Sequence, residues 1–353
     1  MRKYNIAIVG ATGIVGLELL KILSERKFPV GELRLFASAG SAGKYIKFKS
    51  SRFKVSALGG SASGGKGNIF EGIDIAFFAV DGSISKKWAP VAVQSGAVVI
   101  DKSSAFRMDK DVPLVIPEIN SDSILFKSAI CNLQSVITPI IASPNCSTTP
   151  LAMVLKPLND YAKVKRVVVS TYQSVSGAGL TAVHALTEQT KQVLNLKSKI
   201  LNLKSQRFAF NAIPQIDSFG ADDYTGEEIK MINETRKILN DYSIKITATC
   251  VRIPVYCGHS ESVNIETARP IPVAQVRNLL SRAKGIKVMD GPAKGIYPMP
   301  IEVAGKDEVF VGRIRKDPSV KNGINLWLVS DNLRKGAALN AVQIAEYIIS
   351  SNK

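Results

Sequence analysis

Apolar and polar positions alternate between two periods along the first hundred residues. Ile6-Ala7-Ile8-Val9 is an unbroken apolar run. After a glycine-rich turn, the apolar residues of 17–23 recur at helical spacing. A run that short reads as a strand, and the 3.6-residue recurrence reads as a helix with one buried face. Runs at 32–38, 74–80 and 97–101 predict further strands, with a helix over 83–94 between the last two. Strands separated by helices predict a parallel sheet, with ligands expected beyond its strand ends. Farther along, 137–142 predicts a strand that stops at Pro144. Long strand-like runs follow at 164–170, 244–253 and 324–330, and 331–350 closes the chain as a helix.

The chain has 353 residues, more than one core comfortably serves, so two domains are expected. Hydrophobic residues make up 46% and charged residues 21%, which excludes a largely disordered chain. Met1-Arg2-Lys3 leads straight into a strand-like run shorter than a signal peptide's apolar core, and no apolar stretch is long enough to span a bilayer. Both features point to the cytoplasm. Four cysteines without a C-x-x-C pair suggest neither a disulfide framework nor a metal site. The net charge of +17 invites a nucleic-acid reading, but the lysines are dispersed and no aromatic-interleaved basic motif accompanies them. A basic surface equally favours encounters with small anions, so the expected partner is a small-molecule substrate, with no nucleic acid and no membrane.

The first apolar strand runs into Gly10-Ala11-Thr12-Gly13-Ile14-Val15-Gly16 and then the helix. Strand, glycine turn and helix in that order let backbone N–H groups approach a pyrophosphate at a helix start, so the spacing predicts dinucleotide binding. No acidic residue ends the second strand. Ser38, Ser41 and Lys44 follow it instead, a set that suits a 2′-phosphate and favours NADP over NAD; the plainer alternative is a solvated Gly/Ser loop. Arg107 leaves the sheet edge in Lys102-Ser103-Ser104-Ala105-Phe106-Arg107 and is a candidate anion clamp.

Cys146 lies in Ser143-Pro144-Asn145-Cys146-Ser147-Thr148-Thr149-Pro150, between a strand and a helix whose first turn Asn145 and Ser147 to Thr149 can cap. A thiol there meets unpaired N–H groups and the positive end of a helix dipole, both of which favour a thiolate. Most cysteines are inert small hydrophobes, and Cys131, Cys250 and Cys257 are read that way. The chain has two histidines. His184 sits in a helical run as a structural or surface residue. His259, in Gly258-His259-Ser260-Glu261 after a strand carrying Arg252, is the candidate proton acceptor for Cys146.

These motifs resemble the aspartate-β-semialdehyde dehydrogenase family over nearly the whole chain. The shared stretches are 10–16, 143–149, 170–179, 210–215, 227–230, 252–262, 310–315 and 330–338. The resemblance implies an α/β fold with a Rossmann-type dinucleotide-binding domain and an α+β catalytic and dimerisation domain built on a mixed sheet. The division expected is 1–138, 139–329, and a C-terminal helix of 330–353 returning to the cofactor domain. It implies NADPH-dependent reductive dephosphorylation of aspartyl β-phosphate through a thioester on Cys146, with His259 as acid-base and Gln173 holding the substrate carbonyl. Arg252 would take the α-carboxylate, Glu227 the ammonium, and Arg107 and Lys230 the phosphate, with Asn145 also at the substrate. Gly10, Thr12, Gly13, Ile14, Val15, Gly16, Ser38, Ser41, Ser176, Gly177 and Asn332 would contact NADP, and the assembly would be a homodimer or homotetramer. Gly40 departs from the arginine common in bacterial members, and 128–142 and 195–206 align poorly. The alternatives are another phosphorylating aldehyde dehydrogenase, of the N-acetyl-glutamyl-phosphate or glyceraldehyde-phosphate type, and a basic nucleic-acid-binding protein.

Overall fold

The computed structural model describes residues 2–59, 68–126, 136–137, 139–194 and 207–351. Cys131 and segment 195–206 lie outside them, as does most of 128–138, including the expected boundary at 138. The chain forms two compact units, 1–145 with 337–353, and 146–336.

The first unit carries β1 (Tyr4–Val9), α1 (Ile14–Glu25), β2 (Val30–Ala37), β3 (Tyr45–Phe48), β4 (Ser51–Ala57), β5 (Ile75–Phe78), α2 (Gly82–Gln94) and β6 (Val98–Asp101). It continues with α3 (Pro117–Asn120), β7 (Leu125–Phe126), β8 (Val136–Ile137) and β9 (Ile140–Ala142). Seven strands form one sheet in the order β3-β4-β2-β1-β5-β6-β9, parallel except for the β3/β4 pair. Ile6 to Val9 of β1 are all apolar and buried because both faces of the sheet are covered there. Ile6 and Ile8 pack with Leu19 and Leu23 of α1 and with Ala341 and Ile344 of the terminal helix Leu339–Ser351. Ala7 and Val9 pack on the opposite face with Phe78 and with Ala89 and Ala92 of α2. The expected strand over 137–142 is divided into β8 and β9, with Pro139, which has no N–H to give a ladder, between them. The β3/β4 hairpin follows the segment read from sequence as a loop.

The second unit holds α4 (Thr148–Ala162), β10 (Val164–Gln173), α5 (Leu180–Leu194), α6 (Gly226–Leu239), β11 (Lys245–Arg252), β12 (His259–Thr267), α7 (Val273–Arg282), β13 (Ile286–Val288), α8 (Pro300–Val303), β14 (Val309–Asp317) and β15 (Gly323–Ser330). Its six-stranded sheet is mixed, in the order β11-β10-β12-β15-β14-β13, with β10/β11 and β13/β14 parallel. Alternation sets its two faces. Val167, Val169, Val263, Ile265, Leu326 and Leu328 are buried, whereas Tyr172 and Ser262 of the other face are exposed. On that open face Tyr172 meets Trp327, ring centroids 5.4 Å apart. The α/β fold with a second, mixed-sheet domain therefore stands as expected.

α6 is anchored at its start by Glu228. Its carboxylate accepts from the Thr225 N–H at 2.7 Å, closing a capping box, and from the Cys250 N–H of β11 at 2.9 Å. Both contacts are charge-assisted and buried, so Glu228→Ala is expected to lower unfolding stability by about 3 kcal/mol. Glu228→Gln should cost less. Urea denaturation followed by circular dichroism measures both, and a loss below about 0.5 kcal/mol for the alanine variant would show that the anchor carries no weight.

Candidate active site

One end of the mixed sheet gathers the polar side chains. β10 and β11 run parallel, which sets Gln173 opposite Arg252 at their C-terminal ends. β12 is antiparallel to β10 and begins at the same edge with His259. His259 is thus the first residue of a strand rather than part of the turn before it. Cys146 opens the second unit, one residue ahead of Ser147, the N-cap of α4. The Ser147 hydroxyl closes no capping bond, and its backbone stands at φ −87° and ψ −32° where the helix begins.

The Cys146 sulfur lies 3.4 Å from His259 Nε2. His259 is 1% exposed. Burial, and then the positive charge of Arg252, hold its pKa well below the ordinary histidine value, so the imidazole is neutral near pH 7. Arg252 is itself buried and donates from Nη1 to the Ser174 carbonyl at 2.6 Å. Burial works against the guanidinium charge, while the Cys146 sulfur and Glu227 favour it. Two glycines leave room around these groups. A Cβ on Gly177 would stand 3.0 Å from Arg252 Nη1 and 3.2 Å from His259 Nε2, and one on Gly336 would stand 2.9 Å from Cys146 Cβ.

Gln173 joins a chain of ionic partners. Its Nε2 donates to Glu227 Oε1 at 3.2 Å, and Lys230 Nζ approaches Glu227 Oε2 at 3.4 Å and Asp217 Oδ2 at 2.7 Å. Glu227 lies in the first turn of α6, and Lys230 one turn on. The Lys230 hydrogen bond holds the Asp217 carboxyl below the usual range. Lys230 is therefore engaged by two carboxylates. The second unit thus brings together Cys146, His259, Gln173, Arg252, Glu227 and Lys230 out of the residues selected from sequence. Ser176 and Asn332 belong to the same unit: Asn332 Nδ2 donates to Ser176 Oγ at 2.9 Å, and Asn332 Oδ1 accepts from the Gly258 N–H at 2.9 Å. His184 is exposed on α5.

The first unit carries the remaining candidates. Gly10 adopts φ +90°, where a Cβ would also overlap the Ala79 carbonyl, and a Cβ on Gly16 would overlap the Gly10 carbonyl. Thr12 lies in the turn between them, Gly13 is the N-cap of α1, and Ile14 and Val15 open its first turn, which contains no acidic residue. That bare helix start fits a pyrophosphate. Ser38 is the N-cap of a short turn, Ala39–Ser41, whose Ser41 N–H donates to the Ser38 carbonyl at 2.9 Å. A Cβ on Gly40 would meet nothing within 4 Å. Arg107 is buried and donates to the carbonyls of Ser143 at 3.0 Å and Lys102 at 2.6 Å; Asn145, also buried, ends this part of the chain.

Comparison with known proteins gives this geometry a family. Residues 5–126 match the family described as semialdehyde dehydrogenase, NAD binding domain, and 155–335 the one described as semialdehyde dehydrogenase, dimerisation domain. An aspartate-semialdehyde dehydrogenase of Aquifex aeolicus is 52% identical over 98% of both chains, and one of Bacillus subtilis is 45% identical over 99% of both. The chain belongs to the aspartate-semialdehyde dehydrogenase family. Among solved structures, aspartate semialdehyde dehydrogenase II of Vibrio cholerae complexed with ASA superposes with a TM-score of 0.90 at 45% identity, covering 99% of each chain. The enzyme of Candida albicans with NADP shares the fold, with a TM-score of 0.75 at 24% identity.

Sequence reasoning missed Ser174, Asp217 and Glu261. Ser174 lies within a shared stretch but drew no role. Asp217 sits in a loop with no periodic signal. Glu261, in β12, is 1% exposed, and neither carboxyl oxygen has a hydrogen-bond partner among the described residues. Its burial raises its pKa well above the ordinary glutamate value. The unfolded chain loses that proton near pH 4.3 while the folded chain keeps it, so the unfolded state binds fewer protons and stability falls as pH rises above that point. Glu261→Gln removes this slope. The variant's gain in unfolding free energy over the parent should grow from pH 5 to pH 8 by up to about 1.4 kcal/mol per unit. A gain that does not change with pH in denaturation curves would mean that Glu261 ionises normally.

Proposed function

We propose that the chain catalyses NADPH-dependent reductive dephosphorylation of aspartyl β-phosphate to aspartate β-semialdehyde, supplying lysine, threonine, methionine and isoleucine synthesis. The observation that carries this reading is the Cys146 sulfur 3.4 Å from a neutral, buried imidazole, beside a buried guanidinium. A thiolate at Cys146 attacks the acyl carbonyl, the carbon–oxygen bond to phosphate breaks, and a thioester remains on sulfur. His259 manages the proton between the thiol and the reacting group. Gln173 orients the substrate carbonyl, where a shift of an ångström costs rate steeply. Arg252 offers two parallel N–H donors to the α-carboxylate. Glu227 takes the ammonium, and Lys230 exchanges Asp217 for a phosphate oxygen.

From the first unit, Arg107 and Asn145 are assigned to the substrate on the family resemblance. The glycine turn, with Ser38, Ser41 and Lys44, is assigned to the cofactor, as are Ser176, Gly177 and Asn332 of the second unit. When bound, the nicotinamide supplies a hydride to the thioester carbon. The preference for NADP over NAD rests on hydroxyls and a lysine after β2 with no acid to repel a 2′-phosphate. The homodimer reading rests on the open face of the mixed sheet, where Tyr172, Trp327 and Met299 leave apolar surface uncovered in the single chain.

Cys146→Ala is expected to lower phosphate-dependent reduction of NADP by aspartate semialdehyde at least about a thousandfold, with circular dichroism unchanged. Retained turnover removes the nucleophile, and equal turnover of an N-acetylated acyl phosphate moves the assignment to the N-acetyl-glutamyl-phosphate type. Initial rates at equal NADPH and NADH should favour NADPH; equal rates would show that the loop after β2 does not read the 2′-phosphate.

A further inference from the structure

His259 meets a single residue with both of that residue's polar groups. Ser174 places its main-chain N–H and its hydroxyl each 3.1 Å from Nδ1, while Nε2 faces the Cys146 sulfur. A neutral imidazole carries one proton, and the two Ser174 groups favour it on different nitrogens. The N–H can only donate, so it serves a lone pair on Nδ1 and leaves the proton on Nε2, towards sulfur. The hydroxyl oxygen can also accept, so it serves Nδ1–H and leaves a lone pair on Nε2.

The fate of the hydroxyl's own hydrogen decides whether the second arrangement exists. Asn332 Oδ1 lies 3.0 Å from Ser174 Oγ. The orientation of that amide is fixed by its other partners, Nδ2 donating to Ser176 Oγ and Oδ1 accepting from the Gly258 N–H. Oδ1 can therefore only receive, and it stands ready for the Ser174 hydrogen. Ser174 and Asn332 are both buried, so water does not compete for these bonds.

We propose that Ser174 is a positioning residue for His259: its hydroxyl turns between Nδ1 and Asn332 Oδ1, and this rotation lets the imidazole carry its proton on either nitrogen. With the hydroxyl turned to Asn332, Nδ1–H is held and Nε2 is an open base. The Cys146 S–H bond then breaks, its proton forms a bond to Nε2, and thiolate and imidazolium result with Nδ1–H still bonded to Ser174 Oγ. With the hydroxyl turned to Nδ1, the ring's one proton is on Nε2 and faces the Cys146 sulfur, which keeps its own proton. Among the described residues, the charged group bearing on the ring is Arg252, and the Cys146 sulfur faces Nε2. Asn332 is the fixed acceptor behind this pair, a role additional to the cofactor contact assigned to it above.

The test uses the full chain labelled with 15N in its histidines. There are two, and His184, exposed on α5, supplies the internal reference. In the parent protein, both His259 nitrogens should resonate between the protonated and unprotonated limits. Ser174→Ala keeps the main-chain N–H and loses the acceptor, so Nδ1 should move to the unprotonated limit and Nε2 to the protonated one. The same variant should lose about a hundredfold in kcat with KM little changed. Ser174→Thr retains both groups and should restore the averaged positions and most of kcat. Parent signals already at one limit, or positions unmoved in Ser174→Ala, overturn the proposal, and the parent spectrum decides even if the alanine variant does not fold. The kinetic arm rests on the acyl-transfer role given to Cys146; the spectroscopic arm does not, so failure of that role and failure of this inference are told apart.

Discussion

An imidazole buried to the point of neutrality, in contact with a thiol, is the constraint around which the second unit is built. Sulfur and nitrogen are 3.4 Å apart, close enough for a proton to cross, and the buried ring gains little from bulk water while the sulfur is partly exposed. Stabilisation must come from fixed groups, and the structure places them accordingly. Arg252 supplies a permanent positive charge, and the start of α4 supplies a helix dipole of the same sign next to Cys146. Both lower the cost of negative charge on the sulfur, while Arg252 raises the cost of positive charge on the ring.

Strand direction accomplishes the assembly. Gln173 is far in sequence from Arg252 and His259, yet parallel pairing of β10 with β11 and antiparallel pairing of β10 with β12 bring all three to one sheet edge. A register slip of one residue in any of these pairs would turn its side chain to the opposite face. The buried valines, isoleucines and leucines behind the edge specify that register, so the core and the reactive groups share one determinant. Glu228 adds a second tie by bonding the start of α6 to β11, which sets Glu227 against Gln173.

The sheet of the first unit was legible because its strands are apolar on both faces and its helices keep a clear period. β3 and β4 were not, since an exposed edge hairpin with lysine and arginine along it looks like a polar loop. Cys146 and His259 stood out by residue type and setting. Gln173, Arg252, Glu227 and Lys230 needed the family resemblance, because a glutamine or an arginine at a strand end has no local signature. Ser174 and Asp217 escaped because their partners are 85 and 13 positions away and only folding joins them. Glu261 was misleading in a different way: a glutamate in a strand suggests a wet face, and the pairing of β12 between β10 and β15 places it inside.

The described cysteines are unequal in a way that matters for covalent chemistry. Burial raises the pKa of Cys250, and raises that of Cys257 to about 12, so both remain thiols at any physiological pH. Cys146 alone among the three has an imidazole in contact and a helix start beside it. Among the described cysteines, electrophiles therefore meet one reactive position, Cys146, beside two silent thiols, so thiol-directed probes and warheads distinguish it from both.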